Sequence, residues 1–158
     1  MTITANALNA TDLRRLEANH QQLLDLGFQL EQAMEETGLD LEYAKLRRLS
    51  AAILLLLKDA HDLEERVLFP GFDRRAGSCF SVMMIEHLKA EHRYDRLAAD
   101  ELRLTLQALA DGTCSLPIET ITRMLTGFLE CLRRHVSTEK LLMEALLAAE
   151  AEEREIFA

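Results

Sequence analysis

Residues 121–146 read ITRMLTGFLECLRRHVSTEKLLMEAL, and this stretch decides the fold. Apolar residues recur in it at every third or fourth position, which is the spacing of one face of an α-helix. The same face carries His135 and Glu139, which are four residues apart and therefore one helical turn apart. A polar pair thus occupies positions where leucines are expected. The stretch predicts an amphipathic helix that directs an imidazole and a carboxylate into a core.

The spacing of His135 and Glu139 occurs twice more in the chain. His-x-x-x-Glu also stands at residues 61–65 and 87–91, each time within a stretch of helical periodicity. A further histidine, His20, lies alone on the apolar face of the first predicted helix. Buried carboxylates without a partner are costly, and they either take up a proton or bind a cation. Converging pairs therefore predict a metal site with these candidate ligands: His20, His61, Glu65, His87, Glu91, His135 and Glu139.

Turn-forming residues divide the chain into four long segments. Residues 38–40 and 111–113 predict turns, residues 70–71 (Pro-Gly) predict a helix end or kink, and residues 75–78 predict a short connection. Four helices joined by short loops favour an all-α fold, an up-down-up-down antiparallel four-helix bundle. The predicted helices span residues 11–36, 41–69, 79–110 and 117–149.

The positions of the histidines along these helices agree with such a bundle. His20, His61 and His87 each lie about nine residues, or roughly 13 Å, from the same end of the bundle, and His135 lies roughly fourteen residues from it, so we expect the four near one level of the bundle. We expect one domain over residues 1–158, with the bundle at about 11–149 and an acidic C-terminal tail at 150–158.

One histidine, His92, does not fit the three pairs. It lies about 140° around the third helix from His87, near the edge of the predicted apolar face. Its neighbours one turn further on, Asp95 and Arg96, are charged. These features favour a partly exposed surface histidine. The other interpretation is that His92 replaces His87 as the metal ligand of the third helix.

Composition excludes several classes of function. The formal net charge of −9, without any basic cluster, disfavours DNA or RNA as a partner. No apolar stretch approaches the ~20 residues that span a bilayer, and residues 1–10 lack the pattern of a secretory signal. Three cysteines at wide spacings favour neither a disulfide framework nor a zinc site. We therefore expect a cytoplasmic protein without a membrane or nucleic-acid partner.

The number and kind of candidate ligands favour two metal ions. Imidazole and carboxylate suit iron, manganese or zinc, and the lack of thiolates beside the glutamates disfavours a structural zinc site. Four histidines and two or three glutamates exceed what one tetrahedral ion needs, whereas two ions that share carboxylates would use them all. Iron is the metal we expect, because a pair of irons can cycle between ferrous and ferric states. Manganese and zinc are the alternatives.

The candidate ligands and their flanking residues resemble a known family, the hemerythrin-like (hemerythrin HHE cation-binding) proteins. That family has a lone histidine on the first helix, His-x-x-x-Glu on the second, a histidine-led motif on the third, and a histidine followed by an acid on the fourth. The stretch HDLEERVLFP, which begins at His61, is similar to the second-helix motif. SVMMIEH, which ends at His87, resembles the third helix of the iron-sulfur-cluster repair (RIC) branch. The resemblance runs from His20 to about Leu147.

This resemblance implies an oxo- or hydroxo-bridged pair of iron ions as the cofactor. Glu65 and Glu139 would bridge the ions, and the histidines, with His87 from the third helix, would cap them. Glu91 departs from the oxygen carriers, which have a histidine at the second position of the third-helix motif. A carboxylate at that position would stabilise ferric iron and fill an open coordination position, which disfavours reversible carriage of oxygen.

Three hypotheses of function follow from this site. In the first, the protein binds, senses, stores or scavenges O₂, NO, peroxide or iron, so that its partner is a small diatomic molecule or peroxide. In the second, it is a di-iron enzyme (an oxidase, peroxidase or NO reductase) or an iron donor in iron-sulfur cluster repair. In the third, the metal is structural and the bundle binds a partner protein. The first is favoured because the sequence contains no motif that would bind a larger substrate. The chain could also form a homodimer or bind a protein partner.

Overall fold

The computed structural model describes residues 10–36, 43–153 and 156. Its elements in chain order are α1 (Ala10–Glu35), α2 (Tyr43–Leu63), a π-helical turn (Glu64–Leu68), α3 (Phe69–Ala76), α4 (Cys79–Ala110) and α5 (Ile118–Ala151). The backbone stays helical through α2, the π turn and α3, so these three elements form one rod. The described part of the chain therefore consists of four helical rods and contains no strand.

The four rods pack as a ring around one core. α1 packs against α2 and α5, and α4 packs against the same two helices. With short connections between successive rods, this arrangement is an up-down-up-down antiparallel four-helix bundle, and the predicted fold class is confirmed. The core is built mainly from leucines that recur at intervals of three and four residues along each rod. Within the described ranges, no helix is long and apolar enough to cross a membrane.

Most of the predicted helix bounds agree with the structure. α1, α4 and α5 begin and end within two residues of the predicted positions. Gly77, with a φ of 51°, ends α3 in the left-handed conformation that glycine adopts most easily. Ser78 then caps α4, because its hydroxyl accepts the Ser81 N–H at 3.2 Å. The predicted turn at residues 38–40 and the predicted helix start at residue 41 lie outside the described residues.

The second rod does not end at Phe69, so of the two outcomes expected at Pro70-Gly71, a helix end or a kink, the helix end does not occur. Proline has no N–H, and inside an α-helix its ring crowds the carbonyl one turn earlier. Immediately before Pro70 the chain forms the π turn, in which the Phe69 N–H donates to the Glu64 carbonyl five residues back. This wider turn accommodates the proline, so the helix continues as α3 to Ala76.

Ile156 contacts the end of the second rod. α5 runs to Ala151, and the Ile156 N–H then donates to the Arg75 carbonyl at 3.0 Å. The Ile156 side chain also packs against the hydrophobic core. The region expected as an acidic tail therefore includes a contact that links the end of α5 to the end of α3.

Candidate metal centre

Six buried polar side chains meet at the centre of the bundle, and each rod supplies at least one of them. They are His20 from α1, His61 and Glu64 from the second rod, His92 from α4, and His135 and Glu139 from α5. They form two groups whose ligand atoms lie within 4.8 Å of one another: His61, Glu64, His92 and His135, and His20, Glu64 and Glu139. The two groups adjoin, because Glu64 belongs to both.

Two carboxylates face both groups. Glu64 Oε1 lies 2.7 Å from His20 Nε2, and its Oε2 lies 3.0 Å from His92 Nε2. Glu139 Oε2 lies 3.1 Å from His20 Nε2, while its Oε1 lies 3.1 Å from His92 Nε2 and 3.0 Å from His135 Nε2. Each carboxylate thus presents one oxygen to either side. This orientation suits carboxylates that join two cations.

His61 is buried at the centre of the cluster with ring nitrogens that lack partners among the described residues. It is 1% exposed, and neither ring nitrogen has a hydrogen-bond partner among the described residues. Its ring stacks on the His92 ring with centroids 3.8 Å apart. Burial, together with the neighbouring His92, lowers the pKa of His61 to about 2, so the ring is neutral. A neutral imidazole offers a lone pair to a metal, and without a partner its burial is costly. The residues present therefore fit a bound metal.

The other central histidines are held in their protonated form by the carboxylates. Burial lowers the pKa of His20 and of His92, but hydrogen bonds to Glu139 and Glu64 outweigh burial and raise both values to about 9. The same two carboxylates raise the pKa of His135 to about 11 against the effect of burial. Burial raises the pKa of Glu64, yet its contacts with Glu139 and the histidines hold it well below its usual range. A cation that binds here must therefore displace protons.

Four of the seven predicted site residues meet in this cluster, and three do not. His20, His61, His135 and Glu139 lie together as expected. Glu65 is about one-third exposed at the edge of the cluster.

The prediction that His87 and Glu91 face the core is wrong. The His87 side chain is 73% exposed and contacts Glu91 at 3.2 Å on the surface. Glu91 Oε2 lies 3.6 Å from His135 Nδ1, the ring nitrogen that points away from Glu139. The carboxylate expected to fill a coordination position therefore lies outside the cluster.

The error on α4 arose from choosing the wrong face of the helix. Three apolar side chains, Phe80, Met83 and Tyr94, share a face with His87 and made that face look like the buried one. In the structure all three are exposed. The face that is in fact buried alternates intervals of three and four residues: Ile85, Leu88, His92, Asp95, Ala99, Leu102 and Leu106. The structure therefore agrees with the interpretation that was not favoured, in which His92 rather than His87 faces the centre from the third predicted helix. The regular spacing of Leu88, Leu102 and Leu106 was the sequence signal that could have identified it.

Glu64 was missed because its neighbour has the expected spacing from His61. In an ideal helix, positions three and four after His61 lie at about −60° and +40° from it, so both are close to its face. The structure buries Glu64 and leaves Glu65 partly exposed. Glu64 continues the intervals of three and four set by Leu57, Ala60 and Val67, which is the signal that favours it.

Comparison with known proteins agrees with this geometry. The family described as the hemerythrin HHE cation-binding domain matches residues 11–147, which covers all six central side chains. Searches of curated proteins and of solved structures gave no significant match. The family match and the buried cluster of histidines and glutamates together indicate a cation-binding protein. The chain belongs to the hemerythrin HHE cation-binding family.

Proposed function

We infer that the protein binds two iron ions in the central cluster and uses them to bind, sense or scavenge a small molecule such as O₂, NO or peroxide. His61, His92 and His135 would hold one ion, His20 would hold the other, and Glu64 and Glu139 would join them. The observation that carries this proposal is the pair of carboxylates that each face both ligand groups. Imidazole and carboxylate ligands suit iron.

The unequal donor sets support a binding role for a small molecule. The group around His20 offers one imidazole and two shared carboxylates, whereas the other group offers three imidazoles and the same carboxylates. The ion beside His20 would therefore retain more free coordination positions. Bound iron would supply a change between ferrous and ferric states together with these free positions. Since all six side chains are buried, a small ligand fits better than a bulky organic substrate.

The position of Glu91 removes one objection to oxygen binding. That carboxylate was expected to occupy a coordination position, but it lies beside the outer nitrogen of His135. Reversible binding of oxygen is therefore part of this proposal rather than excluded by it.

The proposal is tested by loading the purified protein anaerobically with ferrous iron and measuring metal content and the visible spectrum. We expect two irons per chain and a new absorption band after exposure to air, NO or peroxide. His61→Ala should bind markedly less iron, whereas the exposed His87→Ala should match the wild type. Failure of the wild type to bind iron, or equal binding by both variants and the wild type, would contradict the proposal. Sustained turnover of peroxide or NO would instead identify an enzyme.

A further inference from the structure

The two nitrogens of His92 contact carboxylates from consecutive residues of the π turn. Glu64 Oε2 lies 3.0 Å from His92 Nε2, on the side of the cluster. Glu65 Oε1 lies 2.8 Å from His92 Nδ1, on the opposite side of the ring. The 2.8 Å separation is a strong hydrogen bond when the nitrogen carries a proton and the oxygen is charged. The ring is therefore fixed at both ends.

Glu65 reaches this ring from a surface cleft. The cleft, of about 260 Å³, lies between α3 and α4, and Glu65, Phe69 and Glu86 are among the residues that line it. The ring of Phe69 packs against His92 with centroids 5.4 Å apart. Glu65 is about one-third exposed, whereas Glu64 is buried, so the two neighbours occupy different environments.

We propose that Glu65 is a positioning residue for His92 rather than a metal ligand. It accepts the Nδ1–H of His92, so that Nε2, which faces Glu64 and Glu139, is the nitrogen that would give up its proton and offer a lone pair to a cation. Its negative charge also makes the imidazole a stronger donor to a bound cation, as outer carboxylates do at other metal sites. This inference rests on the proposed iron site, since the role of Glu65 is exerted through a ligand of that site.

The alternative is that Glu65 bridges the two ions, as its spacing from His61 suggests. The two roles predict different results when the side chain is removed. Loss of a bridging ligand reduces the number of ions bound, whereas loss of an outer hydrogen bond weakens binding without changing that number. Outer partners of ligating histidines typically contribute about 10- to 100-fold in metal affinity.

The experiment compares Glu65→Ala and Glu65→Gln with the wild type and with Glu86→Gln, which removes a carboxylate from the same cleft. Ferrous iron affinity is measured by competition with a chelator, and the midpoint potential of the loaded protein by redox titration. We expect two irons per chain in every protein at saturation. Affinity should fall about 10- to 100-fold in Glu65→Ala and less in Glu65→Gln, whose amide oxygen still accepts the hydrogen bond. Glu86→Gln should not change it.

The midpoint potential separates positioning from a purely structural role. A negative charge hydrogen-bonded to His92 favours ferric iron, so Glu65→Gln should raise the potential although it preserves the hydrogen bond. If Glu65→Ala saturates at fewer than two irons, Glu65 is a ligand and the inference is wrong. If affinity and potential are unchanged in both Glu65 variants, it is also wrong. If the wild type binds no iron, the proposed function itself fails. Should Glu65→Ala not fold, Glu65→Gln supplies both measurements.

Discussion

His20 is the single imidazole of the second ligand group, and this gives it a distinct expected role. The first group has three imidazoles, while the second has His20 and the carboxylates of Glu64 and Glu139. In His20→Ala we therefore expect iron content to fall from two ions per chain to about one, because the other ion keeps its three imidazoles. Metal analysis after anaerobic loading would measure this.

The neighbouring Gln21 provides the matched control for His20. It is exposed on α1 and hydrogen-bonds Asp25 on the same helix, away from the cluster. Gln21→Ala should keep two irons. Complete loss of iron in His20→Ala would show that the two ions bind only together, which contradicts the independent contribution argued for His20.

The sequence was sufficient to predict which residue types form the centre, but not every position. His20, His61, His135 and Glu139 could be identified because each interrupts a clear row of leucines. The choice between Glu64 and Glu65 could not be made in this way, because both lie close to the face of His61 on a regular helix. Which of the two is buried depends on the π turn and on the packing of the whole second rod, and neither is visible in the spacing of a single pair.

The π turn is the local feature that an α-helical pattern could not foresee. Single π turns inserted into long helices are often found at functional sites. Here the turn begins at Glu64, a central carboxylate, and ends immediately before Phe69 and Pro70. It thereby accommodates a proline within the rod and separates Glu64 from Glu65 across the ring of His92.

Two glycines inside helices should respond oppositely to the same substitution. Gly127 is exposed on α5 and a methyl group added there would meet nothing within 4 Å, so Gly127→Ala should stabilise the fold by about 0.5–1 kcal/mol through helix propensity. A methyl group on Gly27 of α1 would lie 2.9 Å from Leu129 Cδ2 of α5. Gly27→Ala should therefore be neutral or destabilising, because overpacking costs about 1–3 kcal/mol. Chemical denaturation measures both, and equal gains would contradict a tight contact between α1 and α5.

The start of α4 depends on a side-chain cap. The Ser78 hydroxyl accepts the Ser81 N–H, and the Ser81 hydroxyl accepts the Ser78 N–H, both at 3.2 Å. Ser78→Ala removes one of these bonds and should lower the free energy of unfolding by about 0.5–2 kcal/mol. Ser137→Ala, on the exposed face of α5, is the control and should change it by less than about 0.5 kcal/mol. Similar effects of the two substitutions in a denaturation experiment would show that the cap contributes little.

The architecture of the molecule was predictable because it depends on the positions of turn-forming residues and on the helical periodicity of apolar residues. Few prolines and glycines separate long amphipathic stretches, and antiparallel rods of similar length necessarily bring residues at equal heights together. The rotation of each rod about its axis was less predictable. Apolar residues occur on two faces of α4, and the spacing of Leu88, Leu102 and Leu106 marks the face that packs against α2 and α5.

A centre of this kind should lower the stability of the metal-free protein. His61 is buried with two ring nitrogens that lack partners among the described residues, and each such group costs about 1–3 kcal/mol. Leucine has a similar volume and no polar atoms, so it suits the leucine-rich surroundings of this position. In the presence of a chelator, His61→Leu should therefore unfold at equal or higher denaturant concentration than the wild type.

Iron should reverse this order of stability. A ligand that binds only the folded state at 100 times its Kd stabilises that state by about 2.7 kcal/mol, so the wild type should gain strongly from ferrous iron. His61→Leu lacks one of the central imidazoles and should gain much less, while the exposed His87→Leu should gain as the wild type does. Denaturation curves with iron and with chelator measure both increments. If His61→Leu destabilised the metal-free protein, the stacking of His61 on His92 would outweigh the cost of its unpartnered nitrogens. The bundle would then be a stable scaffold in its own right, rather than one that depends on a bound cation.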